Sequence, residues 1–320
     1  MGHLGRHHAR VYAQLADADL VGIYDVDPVR AATVAKELGV RSFDDEARLL
    51  DQAEAVSVVV PTSAHAQVAA RALERGAHTL VEKPIASTMA EADQLVAAAR
   101  RRGLVLQVGH IERFNQAVRA LSDQCLEPKF IEAHRLAQFS PRGTDVAVVL
   151  DLMIHDIDLI LWMVRSKPVT IDAVGVSVVS DNEDIANARL TFEDGCVANV
   201  TASRISPKRM RKMRLFQRNA YISLDLATGV AEVYRLTESG SALGPSPPLG
   251  DIEHGSRDQH VAYQELQPTP GDALELELRA FVQAAKSGTE PVVTGEEGRD
   301  ALEVALQILN RMVTRKSNRG

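Results

Sequence analysis

Ala55-Val-Ser-Val-Val-Val60, then Pro61-Thr-Ser-Ala-His65 and a helical run to Arg75, then His78-Thr-Leu-Val81 entering Glu82-Lys83-Pro84, carry the architecture of this chain. The first run is rich in β-branched residues, the pattern of a strand covered on both faces. The helical stretch from Ala64 to Arg75 returns the chain for a second short apolar run, and strand, helix, strand in this cadence predicts a parallel βαβ unit. Proline keeps the residue before it extended. Lys83 is therefore expected at the carboxyl end of a parallel strand, the edge at which such sheets bind ligands.

The same alternation extends in both directions. Upstream, a helix after Gly5 (His8, Val11, Tyr12 and Leu15 on one side) leads to an apolar strand, Leu20 to Tyr24, that ends at Asp25. A helix from Pro28 to Leu38 and a short one through Leu50 follow. Downstream, a helix from Met89 to Arg102 feeds a strand, Leu104 to Val108. Residues 1–115 thus read as an α/β, doubly wound dinucleotide-binding Rossmann domain.

Beyond residue 115 the texture changes, and residues 116–320 read as an α+β domain. Phe130–Phe139, Thr170–Val179, Ala186–Phe192, Val197–Ala202, Met213–Gln217 and Tyr221–Leu226 are expected strands, with a hairpin turn at Asp194-Gly195. One strongly apolar helix, Val148–Val164, lies among them. Together they predict an open, mostly antiparallel sheet with helices on one face. The Ser-, Gly- and Pro-rich stretch from Thr237 to Gly271 reads as a loop or excursion. Helices over about Asp272–Lys286 and Gly295–Val313 close the chain.

Composition narrows the function. The 320 residues carry 36 Lys and Arg against 43 Asp and Glu, a net charge of −7, which gives no electrostatic case for nucleic acid. No apolar run approaches the ~20 residues of a membrane span, and the first residues lack the apolar core of a signal peptide. Cys125 and Cys196 belong to no C-x-x-C pair. Both read as small buried hydrophobes, and a reducing cytoplasm is the expected location.

Gly2-His3-Leu4-Gly5 opens a helix, and Asp25 ends the next strand 20 residues after Gly5. In a G-x-G-x-x-G unit the glycines admit a pyrophosphate to a helix N-terminus, and the acidic residue accepts hydrogen bonds from the adenosine ribose. Asp25 favours NAD over NADP, since a carboxylate repels a 2′-phosphate; Arg30, a few residues on, tempers that preference. The first glycine and the strand before it are missing from this pattern. That strand is central in the usual order, so the natural start is expected upstream of Met1.

Gly-His-Leu-Gly-Arg, Tyr-Asp-Val-Asp-Pro, Pro-Thr-Ser-Ala-His, Val-Glu-Lys-Pro and Gln-Val-Gly-His follow in order, and Val-Thr-Gly-Glu-Glu-Gly-Arg-Asp-Ala-Leu-Glu occupies 293–303. In these motifs the chain resembles the Gfo/Idh/MocA family of NAD(P)-dependent sugar and cyclitol oxidoreductases. The resemblance implies a catalytic Lys83, Asp151 and His155, drawn from both halves and meeting beside a nicotinamide. It also implies cofactor contacts from Gly2, His3, Leu4, Gly5, Asp25, Pro61, Thr62, His65, Glu82 and Lys83, and a homo-oligomer formed through the open sheet face. Asp151 and His155 stand at i and i+4 and so share a helix face. Either His155 or Lys83 is the base for the hydroxyl proton, Lys83 stabilises a developing alkoxide, and Asp151 holds substrate or tunes the other two. Asp156 and Asp158 beside His155 suggest a metal cluster, but no H-E-x-x-H is present and a nonmetal site is expected.

Gly109-His-Ile-Glu-Arg-Phe-Asn115 is similar to the branch of the family that acts on nucleotide-activated amino sugars such as UDP-N-acetylglucosamine, oxidising the 3-hydroxyl to a 3-keto group. Arg113 and Asn115 are then candidate sugar contacts. The basic segment Arg204 to Arg214 suits a pyrophosphate, with Arg204 and Lys212 the preferred contacts. A free-sugar or inositol dehydrogenase is the alternative substrate reading, and a nonenzymatic dinucleotide sensor is the alternative class.

Overall fold

The computed structural model describes residues 1–140, 146–238, 251–254, 257–267 and 270–316. They fall into two compact units, Met1–Phe114 with Gly271–Glu303, and Asn115–Pro270 with Val304–Gly320. The sequence reading divides the chain once, after residue 115. The structure returns 271–303 to the first unit, because Leu278, Phe281, Val282 and Ala284 bury against Val11, Leu15, Leu80 and Val105.

The first unit runs α1 (His3–Tyr12), α2 (Pro28–Leu38), α3 (Glu46–Leu50), β1 (Ala55–Val58), α4 (Thr62–Glu74), β2 (His78–Glu82), α5 (Met89–Arg102) and β3 (Leu106–Gly109). Strands β1, β2 and β3 pair in that order, all parallel. Local chemistry sets the helix limits. Asp27 caps α2 by accepting the Arg30 N–H, Pro28 occupies its first turn, and Gly39 ends it in the left-handed region. Thr88 and Glu91 form a capping box on α5, which Gly103 terminates. The expected strand at Leu20–Tyr24 is reduced to one bridge, Ile23 with Ser42. Ile23 spends its N–H on Arg41 and its carbonyl on Phe43, and one such pair does not make a ladder.

The second unit holds α6 (Gln116–Arg119), β4 (Phe130–Leu136), α7 (Ile154–Val164), β5 (Pro168–Ser177), β6 (Ile185–Phe192), β7 (Val197–Ser203), β8 (Met210–Gln217), β9 (Ala220–Asp225), β10 (Val230–Glu238), β11 (Asp251–His254) and β12 (Arg257–Leu266). Helix α8 (Ala273–Ser287) belongs to the first unit; α9 (Gly295–Arg311) begins there, and β13 (Val313–Lys316) follows. Among the described residues the sheet order is β11-β12-β10-β9-β8-β4-β7-β6-β5-β13. Only β4–β7 and β5–β13 pair in parallel. The excursion expected over 237–271 is therefore partly strand: β10 and β12 keep register from Ala231–Leu266 to Glu238–Gln259, a backbone ladder that composition does not reveal. Residues 239–250 of that stretch lie outside the described residues.

Along β4, Ile131, Ala133 and Arg135 are buried while Phe130, Glu132, His134 and Leu136 are less so, the alternation of a sheet covered on one side. The less covered side carries a row of aromatic rings, Phe130, Phe216, Tyr221, Tyr234 and Tyr263, with successive centroids 5.6, 5.0, 5.3 and 5.1 Å apart. Gly195, at φ 82°, makes the β6–β7 hairpin turn. Cys196 is buried, and burial with Asp194 nearby pushes its thiol up to about 11. Cys125 is exposed, contrary to the expected buried hydrophobe. Among the described residues no helix is long and apolar enough to cross a membrane.

Candidate active-site residues

Helix α1 opens at Gly2 with no side-chain cap and no acidic residue in its first turn. Its first N–H groups, from His3, Leu4 and Gly5, are those a helix leaves for an anion. A Cβ at Gly2 would meet nothing within 4 Å. Gly5 is buried beside Val59. Asp25 accepts the Asp27 N–H through Oδ1 at 2.8 Å, and its Oδ2 meets the Met1 ammonium. Arg30 is tied to Asp27 at 3.3 Å. An anion-ready helix start, a glycine opening and a carboxylate 20 residues on fit a dinucleotide.

Pro61 caps α4 with extended backbone, and Thr62 begins that helix. His65, expected at the cofactor, is 1% exposed. Its Nδ1 lies 2.7 Å from the Pro84 carbonyl and its Nε2 2.9 Å from that of Val60. Burial lowers its pKa, against the raising effect of the two carbonyls. His65 thus lies between the backbone segments that follow β1 and β2.

Lys83 follows β2 directly and is half-buried. Beside it, Glu82 is buried, accepts the Lys83 N–H through Oε2 at 3.3 Å, and brings Oε1 to 3.1 Å from His8 Nε2. The His8 contact is close without hydrogen-bond alignment. Gly109, opposite Glu82 in the β2–β3 register, makes room for this carboxyl, since a Cβ there would lie 2.9 Å from Glu82 Cδ.

The two expected sugar contacts of the 109–115 segment have internal partners. Arg113 is 7% exposed and donates to Glu297 at 3.2 Å. Glu297 in turn joins a capping box with Thr294 at the start of α9. Asn115 caps α6 through the Ala117 N–H and donates to the Leu226 carbonyl at 2.9 Å. Arg113 thus engages the carboxylate that helps start α9, and Asn115 holds backbone, neither of which the motif alone discloses.

In the second unit, Asp151 lies in a π-helical segment, Val149–Met153, that continues into α7, where His155 stands in the first turn. The expected uninterrupted α-helix therefore begins with the wider i→i+5 turn that recurs at functional sites. Asp151 and His155 are partly exposed, whereas Val149, Met153, Ile154, Asp156, Ile157 and Asp158 are buried. Asp156 accepts two bonds from the buried Arg135, at 2.8 and 3.0 Å, anchoring α7 to β4. Among the described residues no three His, Cys, Asp or Glu side chains are grouped to hold a metal ion.

Arg204 and Lys212, the expected phosphate contacts, both have partners within the chain. Arg204 is buried and donates to the Val146 carbonyl ahead of the π segment. Lys212 pairs with Asp225 at 3.4 Å. Met213 and Leu215 of β8 are buried and Lys212 alternates with them, so Lys212 lies on the aromatic side of the sheet. Arg211 registers with Arg135 instead and shares the face that meets α7. The alternation of Met213 and Leu215 with charged residues is the signal that separates these two cations in the sequence. His8 and Arg135 lack such a signal, because their carboxylate partners are distant in the chain.

A unit with three parallel strands and a unit built on a mostly antiparallel sheet match the architecture of an NAD-binding oxidoreductase. The chain belongs to the GFO/IDH/MocA oxidoreductase family: residues 1–110 match its NAD-binding Rossmann-fold model and residues 117–223 its C-terminal domain. It is 40% identical to the UDP-N-acetylglucosamine 3-dehydrogenase of Acidithiobacillus ferrooxidans, over 96% of this chain and 94% of that protein. A solved structure of that enzyme superposes with a TM-score of 0.87 at 38% identity, covering 97% of this chain and 95% of the other. The scyllo-inositol 2-dehydrogenase (NAD(+)) of Bacillus subtilis is 25% identical over 97% of this chain and 91% of its own.

Proposed function

We propose that this chain oxidises the 3-hydroxyl of UDP-N-acetylglucosamine, or a close nucleotide-activated amino sugar, to the 3-keto sugar with NAD. The observation that carries this reading is the 40% identity to an enzyme of that name across 96% of the chain. The α1 start at Gly2–Gly5 would hold the pyrophosphate, Asp25 the adenosine ribose, and Pro61, Thr62 and Glu82 the strand-end side of the cofactor. Asp25 favours NAD, and the engagement of Arg30 by Asp27 limits its value to a 2′-phosphate. When bound, NAD supplies the hydride acceptor.

The ammonium of Lys83 donates a hydrogen bond to the reacting oxygen and stabilises negative charge there. His155 takes the hydroxyl proton through its imidazole, whose ordinary pKa suits a base near neutrality. Asp151 supplies charge that favours the imidazolium. Arg211, on the α7 side of β8, is the cation assigned to a substrate phosphate. Asn115 and Arg204 serve by holding backbone, and Arg113 by engaging the Glu297 carboxylate. The row of five aromatic rings on the opposite side of the sheet is the proposed seat of a second copy of this chain. The two free cysteines suit a reducing cytoplasm.

The test is NADH formation with UDP-N-acetylglucosamine, free glucosamine and myo-inositol. Turnover of the nucleotide sugar alone, weakening with salt, is expected. Turnover of myo-inositol alone would replace this substrate with the inositol reading, and NAD binding without turnover of any would support a sensor.

A further inference from the structure

We infer that His8 is a positioning residue for Lys83, acting through the Glu82 carboxylate. The inference rests on Lys83 being the group that meets the reacting oxygen. His8 lies on α1, two turns into the helix that opens at Gly2, and is 2% exposed. Its Nε2 is 3.1 Å from one Glu82 oxygen, while the other takes the Lys83 N–H at 3.3 Å. One buried carboxylate therefore links the anion-ready helix to the backbone from which the Lys83 side chain springs.

Three further features make this link specific. Gly109 leaves the room that Glu82 fills, since any Cβ there would press on its carboxyl at 2.9 Å. Tyr12, one turn beyond His8, bonds Ser57 of β1 at 2.7 Å and so fixes α1 against the sheet. On the other side of Lys83, His65 holds the Pro84 carbonyl. The Lys83 peptide is thus held from both flanks, and His8 supplies the flank that reaches the phosphate-cradling helix.

The test measures kcat, KM, NADH affinity by fluorescence, and amide exchange of the peptide around Lys83. The proteins are His8→Ala and His8→Gln, each with Lys83 intact and in a Lys83→Ala background. Gln places an amide donor near the position of Nε2. His8→Ala is expected to lower kcat roughly 10- to 100-fold while sugar KM and NADH Kd stay within about twofold. Faster exchange at Lys83, recovery of rate and protection in His8→Gln, and no added loss in the Lys83→Ala background are the accompanying results. An equal proportional loss in the Lys83→Ala background overturns the inference and leaves the role of Lys83 standing. So does a fall in NADH affinity that matches the fall in kcat. Full turnover by Lys83→Ala alone overturns the role of Lys83 and this inference with it.

Discussion

Each unit holds a candidate reacting side chain next to a buried carboxylate, but the two carboxylates are held differently. In the second unit Asp156, adjacent to His155, takes two aligned bonds from Arg135, at 2.8 and 3.0 Å. In the first, Glu82, adjacent to Lys83, meets His8 at 3.1 Å through one unaligned contact and accepts the Lys83 N–H. A guanidinium is always charged and forks onto a carboxylate, whereas an imidazole is smaller and its charge titrates. The second unit thus fixes its helix with a rigid strut. The first has beside Lys83 only the unaligned imidazole contact, whose proposed role is placement.

That contrast breaks most visibly at Arg135. Arg135→Met is expected to destabilise the second unit by about 3–5 kcal/mol, because Asp156 is left buried without its cation. Adding Asp156→Leu should recover most of the loss in urea unfolding. No recovery in the double variant would mean that packing, and not the uncompensated charge, set the cost.

Gly109→Ala probes the other strut. Its new Cβ would lie 2.9 Å from Glu82 Cδ, and the overpacking should cost about 1–3 kcal/mol of stability while displacing the Glu82 carboxyl. An unchanged unfolding midpoint together with an unchanged kcat would show that the carboxyl moves aside freely.

Lys212→Ala gives the smallest effect. Its side chain is 43% exposed and its pair with Asp225 is partly solvated, so less than about 1 kcal/mol should be lost. Its sugar KM should stay near that of the unaltered protein, while Arg211→Ala raises KM and reduces its salt dependence. The reverse pattern would exchange the roles of the two sides of the sheet.

Local chemistry made much of the fold legible. Helix α2 keeps the limits read from Pro28 to Leu38 because Asp27, Pro28 and Gly39 mark both ends within a few residues. Helix α5 does so through Thr88, Glu91 and Gly103. The β6–β7 hairpin was written in Asp194-Gly195. What escaped depends on partners far along the chain. Nothing in 271–303 states that Leu278 and Phe281 bury against Val11 and Leu80. The β10–β12 ladder lies hidden in a Ser- and Gly-rich context. In the candidate site, Lys83 at a strand end was readable; the π turn at Asp151, ahead of His155, was not. The inward engagement of His65, Arg113, Asn115 and Arg204 was not, since a polar side chain in a motif looks the same whether it faces ligand or backbone.

The most direct measurement is the turnover of Lys83→Ala with UDP-N-acetylglucosamine, beside its NADH affinity. The expected outcome is a kcat roughly 10²- to 10⁴-fold lower with NADH bound as tightly as by the unaltered protein. Near-normal turnover by this variant would contradict the assignment of Lys83 to the reacting oxygen, and with it the proposed chemistry.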